Sequence, residues 1–103
     1  MNKINNKADL LKRISKYEFY HTIQLTESIS TPGVEFVHDL TKSVLDSMKK
    51  IDFKNKRVLD IGCRDGLFSF EAEKLGASEV IGIDNHISKG AIEFLIPFFK
   101  SNV

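Results

Sequence analysis

Two carboxylates and two glycines in this 103-residue sequence have the types and spacing to hold a nucleotide-type ligand: Asp60, Gly62, Gly66 and Asp84. They fall in Lys56-Arg-Val-Leu-Asp-Ile-Gly-Cys-Arg-Asp-Gly66 and in Val80-Ile-Gly-Ile-Asp84. Glycines let a ligand approach the backbone closely, and an acid closing a strand accepts hydrogen bonds from ribose hydroxyls. Dinucleotide sites lay a pyrophosphate on a helix N-terminus and carry Gly-x-Gly-x-x-Gly. Here the spacing is Gly62-x-x-x-Gly66, and Leu67 stands where the third glycine belongs. Asp60 would also repel a pyrophosphate. The same carboxylate suits a ligand carrying an ammonium group and a sulfonium, and S-adenosylmethionine carries both. Asp60 is then expected at the amino-acid end and Asp84 at the ribose. The backbone of Cys63 lies in the turn, and Asn85 and His86 in the loop expected beside the adenine. Two glycines alone would also fit an ordinary tight strand–helix turn.

The elements that must position these residues can be read from apolar spacing. Val58, Leu59 and Ile61 form a short run without alternation, which predicts a parallel strand over Arg57 to Ile61, covered on both faces. Val80 to Ile83 is a second run of that kind, ending in an acid 18 residues after Gly66. Between them a helix is predicted from Gly66 to about Leu75, with Gly76 as a left-handed stop. Strand, glycine turn, helix, strand and terminal acid make the first unit of a nucleotide-binding α/β sheet.

Asp60-x-Gly62-x-Arg64-x-Gly66 resembles motif I of the class I S-adenosylmethionine-dependent methyltransferases, and Val80-Ile-Gly-Ile-Asp84 resembles motif II. Arg64 departs from the usual acid-x-Gly-x-Gly-x-Gly pattern at its middle glycine. Asp65-Gly66-Leu67-Phe68, Tyr20-His21-Thr22-Ile23 and Thr31-Pro32-Gly33 resemble the wobble-uridine tRNA methyltransferase group. The resemblance covers residues 17 to 95 and implies a Rossmann-like α/β fold, S-adenosylmethionine as cofactor and methyl transfer. It assigns Asp60, Gly62, Cys63, Gly66, Asp84 and Asn85 to cofactor binding. Tyr20 and His21 are then candidates for the wall above the cofactor, or else packing residues of a cap. The acceptor is left open, with RNA or a small molecule as candidates, and no general base is assigned beyond the speculative His21. The family fold has seven strands, with acceptor-binding residues mostly after the third and fourth. Only the first two are expected here, so the resemblance implies an incomplete domain, the N-terminal half, inactive alone. Residues 1–55 would be an N-terminal helical cap and 56–103 the first βαβα portion. Two other readings stay open: a non-catalytic half-domain that pairs with a second chain or with itself, and a dinucleotide-binding module.

Composition narrows the classes. A hydrophobic fraction of 42% and a charged fraction of 28% are those of an ordinary globular domain. A net charge of +1 advertises neither a nucleic acid, DNA or RNA, nor a membrane surface. Residues 1–56 hold ten Lys/Arg against seven Asp/Glu, and 57–103 hold five against seven, an asymmetry that fits a solvated helix face. Met1 to Asp9 is polar with no leader-like apolar segment. Phe94 to Phe99 is too short to span a bilayer. One cysteine cannot form an internal disulfide and has no cysteine partner for a metal. A cytoplasmic setting without metal is therefore expected.

The remaining elements complete the expectation. Asn6 to Asp9 reads as a capped helix start, with Leu10, Leu11, Ile14 and Tyr17 at helical spacing. Thr22 to Thr26 alternates like a short strand. Thr31 is expected to cap a helix with Pro32 at its first position. That helix would carry Val34, Val37, Leu40, Val44, Leu45, Met48 and Ile51 on one face, with His38 at the boundary. Ser88 is expected to cap a last helix that Pro97 breaks.

Overall fold

The structure, a computed structural model, describes residues 6–103. The expected polar start therefore lies outside the described residues over positions 1–5. Helix α1, Lys7–Ile14, begins as expected: the Asn6 side chain accepts the N–H groups of Ala8 at 2.9 Å and Asp9 at 3.3 Å. Leu10 and Ile14 are buried, whereas Leu11 is turned to solvent.

The segment after α1 is held by hydrogen bonds more than by regular structure. The alternation at Thr22 to Thr26 yields only one antiparallel bridge, Gln24 to Ser30. Thr31 is not a helix cap. Its buried hydroxyl accepts the Ile23 N–H at 2.8 Å and donates to the His21 carbonyl at 2.7 Å. That use takes Thr31 into the core and moves the helix start downstream. A 3-10 turn, Glu35–Val37, leads into α2, His38–Met48. Gly33 is required here by contact, because a Cβ would fall 2.2 Å from the His21 carbonyl carbon. The apolar stripe of α2 is only partly used. Val37 just before it is buried and Leu45 packs against the core, but Leu40 and Val44 are exposed.

Strands β1, Arg57–Ile61, and β2, Glu79–Ile83, pair in parallel with Arg57 opposite Glu79 and Ile61 opposite Ile83. Helix α3, Leu67–Lys74, connects them and ends before Gly76 at φ +106°. This is an α/β unit with a two-stranded parallel sheet, the opening portion of a Rossmann-like fold. The expectation that β1 is covered on both faces is overturned. Leu59 is 58% and Ile61 75% exposed, and Ile81 and Ile83 beside them are also open. Only the other face, through Val58, Asp60 and Val80, turns toward α3, and no described element lies over the first.

The last helix also departs from expectation. A π turn, Ala91–Leu95, runs directly into α4, Ile96–Phe99, so Pro97 lies inside a continuing helical segment. The Ile96 N–H reaches back five residues to the Ala91 carbonyl. A widened turn of this kind accommodates the donor that proline lacks. Ser88 caps the segment as expected, its hydroxyl accepting the Ala91 N–H at 3.1 Å. Phe94 and Leu95 are fully buried in one cluster with Leu10, Ile14, Phe19, Ile23, Ile29 and Leu67. The N-terminal segment covers the C-terminal one.

Candidate functional site

The turn between β1 and α3 carries three left-handed residues in five positions: Gly62 at φ +75°, Arg64 at +49° and Gly66 at +89°. For a non-glycine residue this conformation costs about 1–2 kcal/mol, which is why a glycine at position 64 would be unstrained. Two contacts offset the cost. The Arg64 N–H donates to Asp84 Oδ2 at 2.8 Å, and its guanidinium lies 4.2 Å from the centre of the Tyr20 ring. The N–H groups of Gly62 and Cys63 both donate to the Ile83 carbonyl, at 2.7 and 3.0 Å. The turn is thereby tied to the end of β2.

An open hollow of about 600 Å³ lies at these strand ends, lined by Ile61, Gly62, Arg64, Ile83, Asp84 and Asn85. Three of the six expected site residues, Gly62, Asp84 and Asn85, line it together. A Cβ at Gly62 would meet nothing within 4 Å, so the glycine opens space instead of relieving a contact. Asp84 Oδ1 accepts the His86 N–H at 2.9 Å. Donation from Arg64 N–H, and then from His86 N–H, holds the Asp84 carboxyl below its ordinary value. It is a fixed anion at the mouth of the hollow.

The other three expected residues do not line the hollow. Asp60 accepts the Ser69 hydroxyl at 2.7 Å on the α3 face. Cys63 packs against Gly82, where a Cβ would come 3.0 Å from the sulfur. Burial first, then the charges of Asp60 and Asp84, push its thiol pKa up. Gly66 lies beneath the turn, its N–H donating to the Cys63 carbonyl at 2.8 Å.

The comparisons with known proteins fall on these residues. The sequence pattern of the ribosomal protein L11 methyltransferase (PrmA) family matches residues 31–94. The chain belongs to this methyltransferase family. All six expected site residues fall within the matched span, whereas Tyr20 and His21 precede it. A ribosomal protein L11 methyltransferase of Thermosipho melanesiensis is 40% identical over 75 residues, 70% of this chain and 28% of the relative. One from Thermosipho africanus is 43% identical over 58 residues, 53% of this chain and 22% of the relative. The chain thus spans about a quarter of the length of these PrmA relatives. A crystal structure of a proposed RNA methyltransferase from Pyrococcus horikoshii aligns with 92% of this chain and 46% of its own, at 28% identity and a TM-score of 0.41.

Two residues of this PrmA-family chain escaped the sequence reading. Asp65 is buried, and its Oδ2 accepts the backbone N–H groups of Tyr20 and His21. Ser69 is fully buried beside Asp60. Asp65 stands in the Asp65-Gly66-Leu67-Phe68 resemblance without a role there, because its partners lie 44 and 45 positions away. His21 is buried, its Nδ1 has no hydrogen-bond partner, and it does not line the hollow. Among the described residues no helix is long and apolar enough to cross a membrane, and no group of three His, Cys, Asp or Glu side chains is placed to hold a metal.

Proposed function

We propose that the hollow at Gly62, Asp84 and Asn85 binds S-adenosylmethionine and that the chain carries the cofactor half of a methyl transfer. The observation that carries this reading is Asp84, an anion fixed by two backbone N–H groups at the rim of an open space that Gly62 keeps clear. Those residues fit the cofactor: the carboxylate accepts from the ribose hydroxyls, and Asn85 borders the base. Asp60, anchored through one oxygen to Ser69, supplies negative charge toward the amino-acid end. Cys63 and Gly66 shape the turn from beneath, and residues 1–55 act as a cap over the unit formed by 56–103. Bound there, the cofactor supplies a methyl group on an electrophilic sulfur. The protein contributes position, which accounts for much of the acceleration in such displacements. No residue is assigned as a base.

Calorimetric titration with S-adenosylhomocysteine tests this. Asp84→Ala is expected to weaken binding by ~1.5–3 kcal/mol, the worth of a charge-assisted acceptor. Equal affinity in variant and parent removes Asp84 from the site. Displacement of S-adenosylhomocysteine by NAD would instead support the dinucleotide reading. A second reading, a half-domain completed by another chain or by a second copy, draws support from the single strand neighbour of β1 among the described residues. As acceptor, the relatives' names favour a ribosomal protein, and the Tyr20–Ile23 and Thr31–Gly33 segments favour tRNA.

A further inference from the structure

Arg64 stands where two parts of the molecule meet. It lines the hollow at Asp84 and also a cleft of about 540 Å³ between residues 16–20 and the loop 86–90. Its N–H donates to Asp84 Oδ2 at 2.8 Å, and its guanidinium carbon lies 4.2 Å from the centre of the Tyr20 ring. Among the described residues the guanidinium enters no ion pair, so the ring is its partner. The angle φ fixes the direction of a residue's N–H relative to its Cβ. At φ +49° Arg64 makes both contacts together. A return to negative φ would turn the side chain off the ring or the N–H off the carboxylate. Ring and carboxylate therefore hold one left-handed residue between them, in a conformation that is unfavourable by itself. Tyr20 is anchored separately from its ring, because its own N–H donates to Asp65.

We propose that Tyr20 is a positioning residue of the cofactor site: its ring holds the Arg64 side chain and thereby the N–H that orients Asp84. This rests on the reading of the hollow as the S-adenosylmethionine site, and it adds control from outside the site. Tyr20 precedes the span matched by the family and does not line the hollow. Donation from the Arg64 N–H is the first cause that keeps the Asp84 carboxyl below its ordinary value, so this bond reaches the group that would meet the ribose. Cofactor occupancy and docking of the Tyr20 segment then favour one another by the same factor. A glycine at position 64 would break the link, since it adopts positive φ without help from a ring.

The test uses the full chain, residue-resolved amide exchange and calorimetric titration of S-adenosylhomocysteine. In Tyr20→Leu the Arg64 N–H should exchange about two- to fivefold faster, the range that a cation–π contact at an exposed site supplies. S-adenosylhomocysteine affinity should fall by up to the same factor. Tyr20→Phe keeps the ring and should match the parent in both. Arg64→Ala keeps the strained backbone without the guanidinium and should reproduce Tyr20→Leu with the N-terminal segment untouched. Arg64→Gly should keep slow exchange at that N–H, and adding Tyr20→Leu to it should change nothing further. Parent-like exchange in both Tyr20→Leu and Arg64→Ala, or an equal effect of Tyr20→Leu with arginine and with glycine at position 64, would overturn the proposal. If the exchange pattern holds but the parent does not bind S-adenosylhomocysteine, the cofactor reading falls and the tie from Tyr20 to Asp84 is supported.

Discussion

Asp65 Oδ2 accepts the backbone N–H of His21 at 2.7 Å, joining the glycine turn to the N-terminal segment across 44 positions of sequence. The same oxygen also takes the Tyr20 N–H. Asp65→Ala orphans two donors, one of them fully inside the protein, and each buried orphan costs ~1–3 kcal/mol. Asp65→Asn keeps one acceptor oxygen and should lose less. Urea denaturation checks this: the alanine variant should unfold at clearly lower urea, with asparagine between it and the parent. Coincident curves for all three would show that the join contributes nothing to stability.

His21 makes stability depend on pH. Burial first lowers its pKa below 6.5, and Arg64's charge acts the same way, while Asp65 and Asp60 oppose them. Because the folded chain resists protonation, the unfolded chain binds more protons between the folded value and 6.5. The contribution is therefore fully present above 6.5 and is lost as pH falls through the folded value. Denaturation midpoints measured across that window should decline toward acid. His21→Phe removes the titrating group and the unpartnered Nδ1, and its profile should be flatter there. Parallel profiles would remove His21 as the cause.

Gly82 is a packing requirement inside the second motif. A Cβ there would lie 3.0 Å from the Cys63 sulfur, 3.1 Å from its Cβ and 3.1 Å from the Ser69 hydroxyl. Gly82→Ala should destabilise by ~1–3 kcal/mol, the usual range for overpacking. Its displacement of Ser69 should also loosen Asp60, so S-adenosylhomocysteine binding should weaken alongside stability. A variant as stable as the parent would mean that Cys63 and Ser69 shift freely.

What could be read in the sequence was local. The bounds of β1, the stop at Gly76 and the Asn6 cap each follow from a few adjacent residues and were found where expected. The gathering of Gly62, Asp84 and Asn85 follows from two strands in parallel register. Tertiary demand set the rest. Thr31 has the right type for a cap, but a buried backbone crossing at His21 and Ile23 uses its hydroxyl. Pro97 has the right type for a break, but the π turn before it widens the helix. Asp65 shows no periodicity and no spacing, since both of its partners are remote.

The exposed sheet face leads to a prediction about association. Leu59, Ile61, Ile81 and Ile83 are 58%, 75%, 47% and 45% exposed, and they form one face of the paired strands. Beside them β1 has a strand neighbour on one side only among the described residues. An edge with unpaired backbone groups next to an apolar face invites pairing with another chain. Full burial of such a side chain is worth ~1.5–3 kcal/mol, a large share of a small domain's stability of ~5–15 kcal/mol. The purified chain should therefore associate as concentration rises in sedimentation velocity. Leu59→Lys/Ile61→Lys should suppress that association without unfolding the chain, because both side chains already stand in solvent. Amides of Arg57 to Ile61 should exchange faster in the lysine variant, which has lost its added strand. A parent that sediments as a monomer throughout, with slow exchange along both strands, would show that this small unit protects its own edge.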